Sequence, residues 1–341
     1  MSWVILQEPL IPRETKVPCD LLDFIREGTK FLIAGHKEPD GDCVGSGLAL
    51  ASVLRRMGKE AVLCSAGPFK RSEIKSYERF FTSAPSEKDR AGARVIIVDC
   101  SDPSRTGDLE PFLQGLPTAA IDHHASGEYV ALGSSAGGPV YADGNAASAT
   151  VLILKLIHAL GLEPTREEAE LLFFGLCTDT GFFRHTDVSD AESFEAAAVL
   201  IRAGASPKDA YAAINGGKSL YSRRLLGRIL SRAESYFDGK LIFSAEEYEE
   251  SCRFGLEGRD SESLYQLLQS VSGMEAIVII RQETPEKCTV GLRSRDQADV
   301  GRIAASFGGG GHKNAAGLSI AGTIEELKPK IIQAFEEIFS A

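Results

Sequence analysis

Short apolar runs alternate with amphipathic stretches over the first part of the chain. KFLIAG (30–35), EAVLCSA (60–66), RVIIVDC (94–100) and TAAID (118–122) are rich in β-branched residues or bounded by turn formers. They lack polar alternation, as expected of strands covered on both faces. Between the first two, VGSGLALASVLRRMG (44–58) reads as a helix that stops at Gly58, with Arg55 and Arg56 in its last turn. This alternation predicts an α/β fold built on a doubly wound, mainly parallel sheet. Two further helices are expected over 147–160 and 166–179.

From about Asp190 to Ser235 the pattern is almost wholly helical, with a break expected at the NGG of 215–217. A second alternation then begins. KLIFS, EAIVIIRQ (275–282) and CTVGLRSR (288–295) read as strands, the last two forming a hairpin around ETPEK. A short helix, QADVGRIAASFG, precedes a glycine run, and AAGLSI returns as a strand. Thr323 and Glu326 have the spacing of a capping box at the start of a final helix. The expected organisation is a first domain over 1–215, a helical connector over 216–235 and a smaller α/β domain over 236–341.

A length of 341 residues suits two domains. The formal net charge of −11 argues against a protein that coats long nucleic acid, although a local cluster can override the global sign. Seven scattered cysteines without a Cys-x-x-Cys pair suit reduced thiols in a cytoplasmic protein. Those at 43, 100 and 177 are read as buried fillers. The first residues lack the basic start and apolar core of a signal peptide. The longest apolar stretch, VLILKLIHALGL, is interrupted by Lys155 and His158, so no membrane partner is expected.

Of six histidines, His158 lies in an apolar helical run and reads as a packed core residue, while the other five lie beside acids or glycine-rich turns. His36, Asp40 and Asp42 follow the first predicted strand, Asp99 ends the third, and Asp122, His123 and His124 end the fourth. In an open α/β sheet, ligands bind beyond the carboxyl ends of the strands. Asp179, ending a predicted helix, is a further contributor. Each alone reads equally well as a cap or turn residue; the conjunction points to a metal site. Two imidazoles and four carboxylates suit manganese or magnesium rather than a thiolate-type zinc. Six ligands suggest two cations, whose charge would balance the four aspartates. Such a pair can hold a bridging hydroxide for in-line attack on phosphorus.

HKEPDGD (36–42), VDCSD (98–102), DHH (122–124) and TDTG (178–181) resemble, in order, the motifs of the DHH phosphoesterase family. FGGGGHKNAAG (307–317) is similar to the glycine-rich motif of its associated C-terminal domain. The resemblance implies that His36 and Asp40 hold one ion, that Asp42, His123 and Asp179 hold the other, and that Asp99 bridges both. It implies catalytic roles for Asp99, His123 and His124, with Asp122 orienting a histidine and His124 facing the substrate phosphate. Arg293, Gly309, Gly310, Gly311 and His312 are implied as substrate ligands, with the active site in the cleft between domains. Two divalent cations are implied as cofactors, Mn2+ first and Mg2+ second.

The branch it most resembles hydrolyses very short RNAs and 3′-phosphoadenosine 5′-phosphate. Cyclic- or linear-dinucleotide phosphodiesterase, single-strand exonuclease and non-catalytic nucleotide sensor are the alternatives. The expected partners are short RNA oligonucleotides or small nucleotides, not long duplexes, with a homodimer as one possible assembly. The glycine run itself fails as a P-loop, because His312 and Lys313 stand where Gly-Lys-Ser/Thr is needed. Residues 281–313 carry six basic against four acidic side chains, consistent with a phosphate-binding face. Arg295 reads as a solvated strand end, and Phe182 and Phe183 as core; Arg184 and His185 have no assigned role.

Overall fold

The computed structural model of the chain describes residues 17–124, 138–186, 190–295 and 297–339. The opening residues weighed for a signal peptide, 1–16, lie outside the described residues. The chain forms two compact units that divide between Gly216 and Gly217.

The first unit holds five parallel strands, β1 (Lys30–Ala34), β2 (Glu60–Cys64), β3 (Arg94–Val98), β4 (Thr118–Asp122) and β5 (Val140–Ala142), in the order β2-β1-β3-β4-β5. Its helices are α1 (Cys19–Glu27), α2 (Gly41–Arg56), α3 (Glu87–Arg90), α4 (Glu110–Leu113), α5 (Ala149–Ala159), α6 (Arg166–Asp179), α7 (Ala191–Arg202) and α8 (Pro207–Asn215). Alternate strand residues feed two separate cores. Phe31, Ile33, Ile96 and Ile121 pack with Leu50, Leu54, Leu152 and Leu156, whereas Leu32, Val95 and Ile97 pack with Leu109 and Leu113. Covering on both faces is why these strands show no polar alternation. Each such Ile or Leu contributes about 1.5–3 kcal/mol on burial.

One boundary differs from expectation. Helix α2 begins at Gly41, not Val44, because the Asp40 side chain accepts the backbone N–H of Asp42 and Cys43 at 3.1 Å each. Glycines in the first turn hide this start from a propensity argument. Asp42 therefore lies on the first turn of a helix rather than in a loop. His158 also differs: it is half-buried rather than core, with Nε2 3.5 Å from Glu163.

The second unit carries a mixed sheet ordered β10-β11-β9-β8-β7-β6. Its strands are β6 (Glu234–Tyr236), β7 (Leu241–Glu246), β8 (Ala276–Thr284), β9 (Lys287–Ser294), β10 (Gly310–His312) and β11 (Ala315–Ala321). The helices are α9 (Leu220–Ser231), α10 (Tyr248–Phe254), α11 (Ser261–Gln269), α12 (Val300–Ser306) and α13 (Ile324–Phe339). Strands β8 and β9 form the expected antiparallel hairpin. Val278, Ile280, Val290 and Leu292 pack on α12 and α13, while Ile277 and Ile279 of the other face pack on α9 and α11. The segment expected as a connector thus holds α9, whose Leu225 and Ile229 are buried in the second unit's core. The Thr323–Glu326 capping box forms, with reciprocal bonds of 3.0 and 3.3 Å. Among the described residues no helix is long and apolar enough to cross a membrane.

Candidate metal centre

In a sheet of order 2-1-3-4-5 the connections leave β1 and β3 in opposite directions, opening a crevice beyond their carboxyl ends. His36 follows β1, Asp99 follows β3, and the Asp122–His124 run closes β4. Helix α2 brings Asp40 and Asp42 to this edge, and α6 ends on Asp179.

Asp99 lies at the centre of the group. One of its oxygens is 3.4 Å from His36 Nε2 and the other is 3.4 Å from His123 Nε2. His36 Nε2 is also 3.8 Å from Asp40, and His123 Nε2 is 3.2 Å from Asp179 and 3.8 Å from Asp42. The carbonyls of Lys37 and Ala146 lie 2.9 and 3.2 Å from Nδ1 of His36 and His123. Donation from both Nδ1 atoms leaves the two Nε2 atoms facing the carboxylates, where each gives a lone pair once its proton is displaced. Asp122 orients His124 rather than His123, accepting its backbone N–H at 3.1 Å and lying 2.7 Å from its Nδ1.

Helices α2 and α6 cross closely enough to align Asp42 with Asp179 because glycine stands at the contact. A Cβ on Gly45 would lie 2.6 Å from the Leu171 carbonyl oxygen, and one on Gly175 would lie 2.5 Å from Thr150 Cγ2 and 3.1 Å from Asp42 Cα. Asp42 is fully buried, and its oxygens accept the backbone N–H of Ala149 at 2.6 Å and Thr150 at 2.9 Å. These are orphan donors of the first turn of α5, whose own N-cap residue, Ser148, makes no side-chain cap. One carboxylate thus tethers two helices to the centre. This role of the 146–150 segment was invisible in the sequence.

Asp99 bears two signs of a constrained site. Its backbone is in the left-handed region (φ 60°), and its Oδ1 is buried without a hydrogen-bond partner. Such strain costs about 1–3 kcal/mol, and a buried unpartnered acceptor costs a similar amount. Burial, then the charges of Asp99 and Asp179, pushes Asp42 well above the usual carboxylate range. Burial and Asp99 raise Asp179 to about 6. Burial works to lower both imidazoles, but Asp40 and Asp99 lift His36 to about 10, and Asp99, Asp42 and Asp179 lift His123 to about 9. Four carboxylates held this close need positive charge, and divalent cations fit the donor set. The ligating atoms of Asp42, His123 and Asp179 lie within 4.8 Å of one another, as do those of Asp99, His123 and His124. Cys43 Sγ joins His36 and Asp99 within the same limit, but burial and the Asp99 charge push its thiol well up, leaving it neutral.

Arg184 and His185 are exposed; they fold over Gly181, with Arg184 Nε donating to its carbonyl at 2.8 Å. Phe182 and Phe183 pack against the first core from left-handed backbone. In the second unit, His312, Ala315 and Arg293 are register partners across β10, β11 and β9. Two residues along, on the same face, Gly310, Gly317 and Gly291 form a second row. Gly309 and Gly311 have packing reasons of their own, since a Cβ on either would lie 2.5 Å from a β11 carbonyl oxygen. One on Gly310 would meet nothing within 4 Å. The row is thus bare backbone at Gly310, whereas at Gly291 a Cβ would run into the Tyr265 hydroxyl. It is flanked by a histidine and by Arg293, which stacks 4.6 Å over the Tyr265 ring.

The first unit is therefore a doubly wound α/β domain with an acidic, imidazole-bearing centre at its switch point. Residues 30–176 match the DHH family, N-terminal domain, and residues 226–341 match the DHHA1 domain. The chain is 31% identical over 310 residues to the bifunctional oligoribonuclease and PAP phosphatase NrnA of Thermus thermophilus, covering 89% of each. It is 26% identical to the cyclic-di-AMP phosphodiesterase PdeA of Listeria monocytogenes, over 93% of this chain but 49% of that longer protein. A crystal structure of an exopolyphosphatase-related protein from Bacteroides fragilis superposes with a TM-score of 0.75 at 23% identity, covering 94% of both chains. The chain belongs to the DHH phosphoesterase family and is a hydrolase of phosphate ester bonds.

Proposed function

We propose that the protein hydrolyses short oligoribonucleotides and 3′-phosphoadenosine 5′-phosphate at a two-cation centre. The observation that carries this reading is Asp99, whose two oxygens lie 3.4 Å from His36 Nε2 and 3.4 Å from His123 Nε2, the latter oxygen buried and without a hydrogen bond. The reach of the Thermus relative's likeness, over 89% of both chains, supports the substrate class. His36 and Asp40 would hold one cation, Asp42, His123 and Asp179 would hold the other, and Asp99 would serve both. When bound, the cations offset the aspartate charges, activate water and polarise the phosphoryl oxygens. Manganese is the favoured ion, with magnesium second.

The chain's own groups do the rest. The Lys37 and Ala146 carbonyls fix both metal-facing imidazoles as Nε2 donors of electron pairs. Asp122, held below the usual carboxylate range by His124 despite its burial, keeps a proton on His124 Nδ1. That leaves the partly exposed imidazole to meet a substrate phosphate. Arg293 and His312 flank the glycine row and take the nucleotide end of the substrate, with a planar base lying on bare backbone at Gly310. Gly309 and Gly311 keep that strand pair close.

A turnover panel with Mn2+ tests the proposal. Diribonucleotide and 3′-phosphoadenosine 5′-phosphate should be cleaved, with Asp99→Ala lowering the rate more than about 100-fold. Preferential cleavage of a cyclic dinucleotide would favour the alternative suggested by the Listeria relative. No cleavage of any phosphate ester would refute the reading.

A further inference from the structure

Helix α9 is out of character with an acidic chain. Between Asp209 and Glu234 there are five basic residues, Lys218, Arg223, Arg224, Arg228 and Arg232, and no acidic one. Arg223 and Arg232 are committed to Asp260 and Glu250. Arg228 reaches Glu250 only at 3.3 Å and is half exposed. Arg224 and Arg253 are exposed and, among the described residues, have no acidic partner. These last three line a groove of about 420 Å3 between α9 and α10, together with Tyr221, Gly227 and Phe254.

No carboxylate lines this groove. Among the described residues Arg224 and Arg253 have no counter-charge, and Arg228 shares Glu250 with Arg232. Guanidinium groups gathered with so little compensation repel one another, so their clustering favours an anionic ligand. The floor is aromatic. Phe254 is buried beneath Tyr221, ring centroids 4.4 Å apart, and Tyr221 keeps 41% of its surface exposed. The Tyr221 hydroxyl donates to the Arg253 carbonyl, which fixes the ring, and a Cβ on Gly227 would meet nothing within 4 Å. Arginines beside a fixed, half-open aromatic ring are the elements of a single-strand nucleic-acid groove, where cations follow the backbone and bases stack.

We infer that this groove is a second contact site for single-stranded RNA, taking backbone phosphates on Arg224, Arg228 and Arg253 and a base on Tyr221. It rests on the proposed function in naming RNA as the polyanion. It is a binding surface for single strands, with no part in hydrolysis at the metal centre.

The test uses the full chain. A labelled RNA decamer is titrated in EDTA, so that nothing is cleaved, at several salt concentrations. With about 0.7 counterion released per single-strand phosphate contact, Arg224→Ala/Arg253→Ala should flatten the log–log salt slope by about 1.4. The same arithmetic gives an affinity loss of about 25-fold at 0.1 M salt. Arg224→Lys/Arg253→Lys should restore the slope. Tyr221→Leu should weaken the decamer but not inorganic polyphosphate, which has no base to stack. Diribonucleotide hydrolysis with Mn2+ should be unchanged in all three variants. Unaltered decamer binding and slope in the double alanine variant would overturn the inference, as would equal loss of polyphosphate in Tyr221→Leu. Loss of a wild-type dimer in the double variant, seen by sedimentation, would reassign the groove to self-association. If no variant or wild type cleaves the diribonucleotide, the proposed function fails while the binding readout still stands.

Discussion

Gly175→Ala adds one methyl group at the point where α6 meets α2 and the start of α5. That carbon would lie 2.5 Å from Thr150 Cγ2, 3.1 Å from Asp42 Cα and 3.2 Å from Asp42 Oδ1, so the helices must part. Overpacking of this kind costs about 1–3 kcal/mol, partly offset by about 1 kcal/mol of helix propensity. The net destabilisation is therefore about 0–2 kcal/mol. The larger consequence is local, because Asp42 and Asp179 sit on the two helices being separated. A displaced positioning contact typically weakens metal affinity about 10–100-fold. Gly47→Ala, also on α2, is the control: its nearest neighbour would be Leu63 at 3.6 Å, an ordinary contact. It should stabilise by up to about 1 kcal/mol and leave the centre alone. Calorimetric titration with Mn2+ and urea denaturation of both variants separate the two effects. Wild-type Mn2+ affinity in Gly175→Ala would refute the claim that helix approach sets the site.

Metal affinity should rise with pH. Without metal, His36 and His123, at about 10 and 9, both carry protons at neutral pH, and cations must displace them. Two protons released give up to about a 100-fold gain per pH unit below pH 9, and Asp179, at about 6, steepens the fall in acid. Titrations in buffers of different ionisation enthalpy count the protons, and a pH-independent affinity would contradict the electrostatics. In the second unit, Arg259 pairs with Glu283 through two bonds of 3.0 and 3.1 Å and with the fully buried Glu246 at 2.8 Å. Arg259→Leu leaves Glu246 with Arg281 Nε at 3.2 Å and the Ser251 hydroxyl at 2.9 Å, and Glu283 with the Thr289 hydroxyl at 2.6 Å. It should cost about 1–3 kcal/mol, read as faster amide exchange in β7 and β8, and a change under about 0.5 kcal/mol would show the network to be neutral.

The strands β1 to β4 were legible because each is apolar on both faces and closed by turn formers, and the residues that end three of them carry the chemistry. The start of α2 was not, since glycines hid a helix that Asp40 caps. Asp42's hold on α5 was not legible either, because the amides it binds lie 107 and 108 positions away. Nothing in VIIVD marks Asp99 for a left-handed backbone. Nothing in the glycine run marks a strand, yet 310–312 pairs as one, and only the packing across β10, β11 and β9 shows which glycines are covered and which lie bare. The basic run in α9 did not stand out in the sequence, because only the fold sets Arg253 and Phe254 of α10 beside it.

Anomalous diffraction from crystals soaked in Mn2+ tests the account most directly. Two peaks per chain should appear, one beside His36 and Asp40, one beside Asp42, His123 and Asp179, with Asp99 touching both. A single peak, or two peaks of which either lies away from Asp99, would contradict it.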